Sequence, residues 1–445
     1  MDKRTVNRRI FLSKSTACMA GVGIAGSGAM FGREISPREQ LQPEIREYRT
    51  LGRTGFKVSD IGCGFPGTAS ESVLKAAVAG GINFIDSIEG HGGGNSEVTI
   101  GRVIKTCPRE SLFINSKIAV TEKDTRETLV SRVKKTLERL DTPYIDGLML
   151  WSANTVIATE NKVFHSAVRQ MKKEGIVRFS GVSCHGSSFT GEPPETMDKV
   201  ICAAVDSGRF DLVMFVYNYV QQEMGDKILE QCQKKNVGTT LMKTDPFGGA
   251  YNIVTNMVTN YQKENKEIPP NIQNVYSKIM KSQEQAMPFL IQHGLSDINA
   301  RKEAAISFVL NHPAVSTVLI SFSNFTEVAD CINLSGSRLT EKSQSMVDSM
   351  RDIYGPFYCR HACGICESSC PAGVPVNTIM RFNHYFMAQS REKFAISQYL
   401  GLGRPDAGNC RNCKGFCEAA CPYGVPIHSL LEDAHKNLSI AGEYI

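Results

Sequence analysis

Eight cysteines near the end of the chain have a spacing that suits metal chemistry. They lie in the segments "CRHACGICESSCP" and "CRNCKGFCEAACP" as two groups of four: Cys359, Cys363, Cys366 and Cys370, then Cys410, Cys413, Cys417 and Cys421. Cysteines three or four residues apart on short turns can direct several thiolates at one centre, and such soft ligands suit iron–sulfur clusters. Structural zinc is the simpler alternative. The close, repeated spacing argues against a disulfide scaffold.

Each cysteine group ends in Cys-Pro, followed shortly by Gly-Val-Pro. This pair of motifs resembles a duplicated bacterial ferredoxin sequence, although the intervening residues number three, two and three in the first group and two, three and three in the second. The resemblance implies two [4Fe-4S] clusters. It also implies that Cys370 completes the second site and Cys421 the first, because the Cys before Pro ligates the other cluster in two-cluster ferredoxins. Such a module transfers electrons; a purely structural role is the alternative.

A second set of reactive residue types lies far earlier in the chain. In "NFIDSIEGHGGGNSE" an apolar run ends in Asp86, and a glycine-rich loop carrying His91 follows; Lys117 ends another apolar run, "LFINSK". A buried lysine beside a carboxylate is either a pair with perturbed pKa values or a structural ion pair. Histidine can act as an acid or base near neutral pH. It could also simply form a hydrogen bond within the loop.

The elements that must position these residues repeat along the middle of the chain. Short apolar runs alternate with amphipathic stretches; the runs are "DIGCG", "NFIDS", "LFINSK", "IDGLMLW", "VRFSGVS", "DLVMFVYN", "GTTLMK" and "VSTVLI". Eight such units predict an α/β fold, a (β/α)8 TIM barrel over residues 45–345. A small ferredoxin-like iron–sulfur domain is expected over 350–445. An open doubly wound sheet would use the same alternation, but the count of eight favours the barrel.

Barrel chemistry is expected at the carboxyl ends of the strands. Those ends, in order, are Cys63–Thr68, Asp86–His91, Lys117, Trp151, Ser183–His185, Tyr217–Asn218, Lys243 and Ser321. The connection from Thr244 to Ala300 is long, and a loop of this size usually carries function or covers a site.

Several stretches together resemble the aldo-keto reductase family over about residues 48–335. They are "YRTLGRTGFKVSDIGCG", "NFIDSIEGHGGGNSEVTIGRVIK", "LFINSK", "GIVRFSGVSCH" and "VSTVLISFSNFTEV". The cysteine-rich tail fits the same resemblance, since one branch of the family carries a C-terminal iron–sulfur domain. The resemblance implies an oxidoreductase that exchanges hydride with a nicotinamide while a Tyr, supported by Lys, Asp and His, moves the proton.

Two of the four family positions are retained here and two are replaced. Asp86 and Lys117 match the family Asp and Lys. His91 stands at the Tyr position, five residues after the Asp, and Trp151 at the His position. His91 could still move a proton, in either direction of an alcohol–carbonyl reaction. Trp151 could stack on a sugar or aromatic ring, or simply fill space.

The resemblance also implies positions for NAD or NADP. Ser183 matches the family Ser that holds the carboxamide, whereas Cys184 replaces the following Asn and Met214 replaces a Gln. The remaining candidates lie in the last cofactor-binding turn, which could offer backbone amides to a phosphate: Ser321, Phe322, Ser323, Asn324 and, near the adenine position, Glu327.

The first 35 residues resemble a twin-arginine export signal and leader. Residues 1–31 hold five basic residues, including the pair Arg8 and Arg9, against Asp2, a net of +4, which leaves the rest of the 445-residue chain near +1 of the total +5. The apolar stretch that follows is too short and weak for a stable membrane span. The near-neutral remainder gives no support to nucleic-acid binding. A basic tail without function is the alternative.

Together these features predict an exported, periplasmic oxidoreductase of aldo-keto reductase type. It would act on a small alcohol or carbonyl compound, such as a sugar, with a nicotinamide cofactor, an iron–sulfur relay and a redox partner. The alternatives are an electron-transfer or partner-binding protein on a catalytically degenerate barrel, and a cytoplasmic enzyme with a misleading N-terminus.

Overall fold

The structure is a computed structural model. It describes residues 43–64, 70–185, 195–246, 257–270, 298–389, 391–402 and 405–439, with isolated residues between 255 and 284. The expected export signal and leader, residues 1–35, and the strand end 65–68 lie outside these residues.

Eight parallel strands close into a barrel in which sequence neighbours are also spatial neighbours. They are β3 (Ile61–Gly64), β4 (Phe84–Asp86), β5 (Phe113–Ile118), β6 (Ile145–Leu150), β7 (Val177–Ser183), β8 (Leu212–Val216), β9 (Gly238–Met242) and β10 (Thr317–Ile320), and β10 pairs with β3 to close the ring. A hairpin of β1 (Tyr48–Thr50) and β2 (Lys57–Ser59) precedes it. The eight-stranded barrel predicted from the apolar runs is therefore confirmed.

Helices surround the barrel because their apolar faces pack on the outward-facing strand residues. Among the described residues they are Glu71–Ala79, Asn95–Ile104, Arg126–Leu140, Val156–Thr159, Lys162–Lys173, Met197–Asp206, Gln222–Lys235, Ile298–Leu310, Phe325–Ile332 and Glu341–Tyr354. The start of Arg126–Leu140 shows how the sequence sets these ends. Thr125 and Thr128 exchange side-chain and backbone hydrogen bonds in a capping box.

The cysteine-rich segment forms a second packed unit. Its described helices are Val376–Gln389, Glu392–Leu400, Phe416–Ala419 and Ile427–Leu438, and the structure assigns no strand in the described part of 355–439. Its hydrophobic core includes Met257, Val258 and Ile272 from the long connection after β9. The ferredoxin-like domain and the predicted domain boundaries stay predictions.

The barrel core continues into the beginning of the cysteine-rich segment. Phe357, Tyr358, Ala362 and Cys363 belong to the same hydrophobic cluster as the barrel strands. This continuity places the segment directly against the barrel. Within the described part of the chain, the helices are all too short or too polar to cross a membrane.

Candidate active site

Asp86 and Lys117 lie at the carboxyl ends of adjacent strands, and the structure brings them together. β4 and β5 pair with Asp86 opposite Asn115, so both side chains reach the same end of the barrel. The Lys117 ammonium donates to the Asp86 carboxylate and, at 2.7 Å, to the carbonyl of Ser87. Asn115 Nδ2 donates to the second carboxylate oxygen at 2.7 Å. Asp86 is 8% and Lys117 4% exposed, so this is a buried, hydrogen-bonded ion pair.

A glycine on the next strand makes room for that arrangement. A Cβ at Gly147 would stand 2.3 Å from Asn115 Oδ1, closer than two such atoms can approach. Gly147 on β6 therefore allows Asn115 to turn toward Asp86. This requirement for glycine could not be recognised from the apolar pattern of "IDGLMLW".

The loop after β4 positions His91 next to this pair. The backbone amides of Ser87 and Glu89 donate to the carbonyls of Asn115 and Lys117, at 2.9 and 3.1 Å, so the loop continues along β5. The chain then turns through glycines at positions 90, 92, 93 and 94, all with positive φ, a conformation that residues with a Cβ adopt only at a cost. His91 begins a short 3-10 helix within this turn.

A buried carboxylate anchors the far side of the same loop. Glu97 is fully buried and accepts hydrogen bonds from the Gly90 amide at 3.4 Å and from Thr136 Oγ1 at 2.8 Å. Arg139 completes the set with its Nε. Glu97 thus ties the loop to the helix Arg126–Leu140. Sequence reasoning missed it, because a glutamate early in an amphipathic helix is ordinarily exposed.

His91 is half-buried, and its Nδ1 has no hydrogen-bond partner. Burial lowers the pKa of His91, the positive charges of Arg391 and Lys117 lower it further, and only the charge of Asp86 opposes them. The imidazole is therefore held toward its neutral form, as expected from Lys117. The stronger influence of Arg391 was not foreseen, because Arg391 comes from the cysteine-rich segment.

Trp151 follows β6 and forms one wall of the site. Its ring packs edge-on against His185, with centroids 6.2 Å apart. His185 follows β7, and its Nε2 is buried without a partner. Burial and then the charges of Lys243, Lys117 and Arg381 hold the pKa of His185 well below its ordinary value. His185 thus joins the site as a second neutral imidazole; the sequence placed it at a strand end without assigning it a role.

Three of the residues expected to bind a dinucleotide lie beneath the surface. Ser183 and Cys184 have no exposed surface, and Met214 is 1% exposed. Ser183 Oγ accepts a hydrogen bond from the Ser152 amide at 3.0 Å and lies 3.4 Å from the Leu150 carbonyl. These side chains support the strand ends from within the core, and their contact with a nicotinamide stays a prediction.

The turn after β10 satisfies its own amides. Asn324 caps the helix Phe325–Ile332 by accepting from the Glu327 amide at 2.9 Å. The Glu327 carboxylate in turn accepts from the Ser323 amide and from Asn324 Nδ2, each at 2.8 Å. Ser321 Oγ donates to the Gly64 carbonyl at 2.8 Å, and Phe322 is buried. A phosphate in this turn would have to displace Glu327.

The cysteine-rich segment covers the barrel mouth beside β8 through specific polar contacts. Gln221 Nε2 donates to the His361 carbonyl at 2.7 Å, and the His361 amide donates back to Gln221 Oε1 at 2.8 Å. Nearby, Asn218 Nδ2 donates to the Tyr358 hydroxyl at 3.4 Å. Arg351 Nε donates to the Tyr219 carbonyl at 2.7 Å. Residues of the barrel and of this segment therefore both surround the barrel mouth.

The first cysteine set includes one member of the second motif. Burial raises the pKa of Cys359 to about 12, with Cys363 and Cys421 adding to the rise and Arg381 opposing it. Burial also raises the pKa of Cys366, and the charges of Cys359, Cys417, Cys421 and Cys363 raise it further. Cys421 therefore lies with the first motif.

The second cysteine set likewise includes one member of the first motif. Burial raises the pKa of Cys410 to about 12, and the charges of Cys417, Cys370 and Cys413 add to it. Burial also raises the pKa of Cys417, and the charges of Cys370 and Cys413 add to the rise. The Cys370 sulfur also accepts a hydrogen bond from the Val374 amide at 3.3 Å. Cys370 therefore lies with the second motif.

The two motifs share a local structure as well as a spacing. Glu367 accepts from the Asn377 amide at 2.7 Å, and Glu418 accepts from the His428 amide at 2.9 Å, in each case across ten residues. Each glutamate follows its motif's third cysteine and caps the helix after the Gly-Val-Pro turn. Among the residues described, no three His, Cys, Asp or Glu side chains are grouped so as to hold a single metal ion. The electrostatic influences between the thiols nevertheless link each motif to the last cysteine of the other, Cys421 to the first motif and Cys370 to the second.

Known proteins resemble the barrel part of the chain. It is 24% identical over 282 residues to the "Probable aldo-keto reductase 1" of Glycine max, covering 56% of this chain and 75% of that protein. It is 26% identical over 214 residues to the aldo-keto reductase YhdN of Bacillus subtilis (strain 168), covering 44% of this chain and 61% of that protein. The structure of the aldo-keto reductase AKR11C1 from Bacillus halodurans (holo form) covers 71% of this chain and 99% of its own, with a TM-score of 0.50 and 16% identity, and shows the same fold.

The sequence model of the Aldo/keto reductase family matches residues 64–352, which is more than half of the chain and includes strands β4 to β10. The match spans the strand ends that carry Asp86, Lys117 and Trp151. The chain therefore belongs to the aldo/keto reductase family.

Proposed function

We propose that this oxidoreductase interconverts an alcohol and a carbonyl on a small molecule at the barrel mouth, with His91 moving the proton. The observation that carries this proposal is the position of His91: its unpartnered Nδ1 lies in a half-buried site beside the Asp86–Lys117 pair. Nicotinamide use is typical of the family, and a bound nicotinamide would accept or supply the hydride at the substrate carbon.

The residues of this chain would divide the remaining work. In the oxidation direction, neutral His91 takes the hydroxyl proton as the carbonyl forms; in reduction, protonated His91 returns it. Lys117 and Asp86 hold the polar side of the site in a fixed geometry. The ring of Trp151, which packs edge-on against His185, can support the apolar face of a sugar or other ring and exclude water.

The cysteine-rich segment supports an electron relay in the same proposal. The two thiol sets match the ligand exchange implied by the ferredoxin-like motifs: Cys421 with the first motif and Cys370 with the second. Two [4Fe-4S] clusters held there would pass electrons one at a time between the site and a redox partner. A four-iron cluster is larger than one ion, so its thiolates surround a wider centre than a single zinc requires.

An electron-transfer protein on a catalytically degenerate barrel is the second candidate. Two observations favour it: Ser183 is fully buried, and Glu327 occupies the amides of the turn after β10. Nicotinamide binding separates the two candidates. An absorbance titration of the anaerobically purified protein with NADH and NADPH measures it directly, and absence of any binding would favour the electron-transfer protein.

Removal of the imidazole should stop the reaction. We expect His91→Ala to lower kcat for nicotinamide-linked alcohol oxidation by about 100-fold or more, the usual contribution of a positioned acid or base. Steady-state assays at saturating nicotinamide measure the change. The matched control is His165→Ala, because His165 is also half-buried but lies on the helix Lys162–Lys173 outside the site. Equal kcat values in wild type and His91→Ala would refute the role of His91.

The pH dependence of oxidation should respond to Arg391. Oxidation needs neutral His91, so the rate falls on the acid side as the imidazole becomes protonated. Burial, Arg391 and Lys117 lower the His91 pKa and Asp86 raises it. Arg391→Gln should therefore raise this pKa and move the acid limb of the kcat/KM profile to higher pH. Arg102→Gln, on the exposed face of the helix Asn95–Ile104, should leave the profile unchanged. An acid limb that stays in place in Arg391→Gln would contradict the assignment of that limb to His91.

The ligand exchange between motifs can be tested with pairs of cysteine variants. Cys359→Ser and Cys421→Ser should each remove the same cluster, so the double variant should retain about half of the iron, as each single variant does. Cys359→Ser with Cys370→Ser should lose both clusters. Iron analysis and low-temperature EPR of anaerobically purified protein provide the measurement, with Cys107→Ser as control. Complete iron loss in Cys359→Ser with Cys421→Ser, together with half retention in Cys359→Ser with Cys370→Ser, would exclude the exchange.

We also propose export by the twin-arginine route, which carries folded proteins and so suits a chain that acquires clusters before leaving the cytoplasm. The basis is the sequence around Arg8 and Arg9, outside the described residues. Replacing both with Lys should retain the protein in the cytoplasm, as measured by cell fractionation. Lys3→Gln with Arg4→Gln is the matched control and should still be exported. Periplasmic recovery of the Arg8→Lys, Arg9→Lys variant would refute this route.

A further inference from the structure

The space between the barrel mouth and the cysteine-rich segment is lined by cations. Lys243 follows β9, and its Nζ lies 3.0 Å from His361 Nδ1 and 5.7 Å from the centre of the Tyr385 ring. Its backbone has φ 55, a conformation that costs energy for a residue with a Cβ and that recurs at functional sites. The structure therefore maintains Lys243 in a strained position facing the covering segment.

Arg381 approaches the same space from the covering segment. It is 2% exposed, and its Nε and Nη1 have no hydrogen-bond partner. None of the ion pairs found among the described residues includes Lys243 or Arg381, whereas Lys117 is paired with Asp86. A buried guanidinium with unused donors destabilises the fold, because a buried charge without a partner loses its hydration and gains nothing in return. Such groups are found where a ligand supplies the missing acceptor.

Two imidazoles add further unused polar atoms. The Nε2 atoms of His361 and His185 are buried and have no partner. His361 is stacked on Tyr358, with centroids 5.5 Å apart, and packs edge-on against His384 at 5.8 Å. The polar atoms left without partners thus come from both the barrel and the segment that covers it.

These groups line a space between the barrel mouth and the cysteine-rich segment, called the chamber below. Lys243, His185 and His384 lie deep in the protein, and yet each retains some accessible surface. Side chains that line an internal space have this combination. Burial lowers the pKa of Lys243, and the charge of Arg381 lowers it further. An anion between the two cations would remove that repulsion.

An iron–sulfur cluster bound at the first motif would neutralise only part of this positive charge. Arg381 acts electrostatically on Cys359, so its charge would interact with such a cluster. Lys243 interacts with Arg381, Cys184 and Arg391 instead, and His185 interacts with Lys243 and Lys117. The barrel side of the chamber therefore keeps its positive potential with the cluster in place.

We propose that Lys243, Arg381 and His361 bind the carboxylate or phosphate group of a small molecule inside this chamber. On the function proposed above, that molecule is the substrate, a hydroxy or oxo compound whose anionic group lies under the cysteine-rich segment while its alcohol or carbonyl reaches His91. A bidentate guanidinium and an ammonium are the donors best suited to such oxyanions.

Calorimetry on the anaerobically purified full-length protein tests the site with matched probes. Lactate and inorganic phosphate should bind, whereas 1,2-propanediol, which has the carbon skeleton of lactate without its charge, should not. Lys243→Met and Arg381→Gln should each weaken lactate binding tenfold or more. Lys243→Arg, which retains the charge, should restore it. Lys227→Met, an exposed lysine on the helix Gln222–Lys235, is the control and should bind as wild type.

Thermal unfolding supplies a second readout that a merely structural role would not produce. Without ligand, Lys243→Met should unfold at the same temperature as wild type or higher, because the substitution removes a buried charge that has no carboxylate partner. At matched ionic strength, lactate should raise the unfolding temperature of wild type but not of Lys243→Met. If neither neutral variant folds, wild type still decides the outcome: an unfolding temperature that lactate does not raise at matched ionic strength would refute the proposal.

Three results would overturn the proposal. The first is lactate and phosphate binding that is equal in wild type and both neutral variants. The second is an Arg381→Gln variant with altered cluster EPR but unchanged lactate binding, which would assign Arg381 to the cluster alone. The third is binding of NAD+ that requires Lys243 and Arg381 while lactate and phosphate do not bind, which would assign the chamber to a dinucleotide diphosphate.

The same variants separate this site from the proposed reaction. His91→Ala should bind lactate as wild type does while lacking turnover. Lactate binding that requires Lys243 and Arg381, in a protein that turns over no alcohol, would support the anion site and refute the proposed function. Alcohol turnover without such lactate binding would support the proposed function and refute the anion site.

Discussion

The reciprocal pair of hydrogen bonds between Gln221 and the backbone of His361 fixes the cysteine-rich segment over the barrel. Both the donor and the acceptor of a buried side-chain amide are used, so a shift of the segment would leave buried polar groups unpaired, at a cost of about 1–3 kcal/mol each. The influence of Arg391 on His91, the contact of Lys243 with His361 and the proximity of the first thiol set to the site all depend on this junction.

The barrel and the chemistry at its strand ends could be predicted because both follow local rules. A buried parallel strand is a short apolar run, and a charge at its end is visible in the sequence; Asp86 and Lys117 were found in this way. Gly147 and Glu97 could not be, because their roles depend on atoms of Asn115 and Arg139 that approach from other elements. The exchange of Cys370 and Cys421 between the two Cys-Pro motifs, which the ferredoxin resemblance implies, stays a prediction that the electrostatics of the thiols support.

One available signal was overlooked. Asn324 and Glu327 form the Asx-x-x-Glu pattern of a helix start whose amides are satisfied internally. Read in that way, the turn after β10 is a capped helix, whereas the family resemblance suggested a phosphate site. The residues from the tail that face the site, among them Arg381 and His361, gave no such signal. A sequence shows which residues a segment contains but not which surface the segment covers, and here that surface is the mouth of the barrel.

Trp151 is the only tryptophan among the 445 residues, and it stands at the barrel mouth against His185. The intrinsic indole emission of this protein consequently originates from one place. Protonation of the adjacent imidazole, a change in local polarity or energy transfer to a nearby chromophore would each alter that emission without any introduced label. This single tryptophan thus gives the protein an intrinsic optical probe of its barrel mouth.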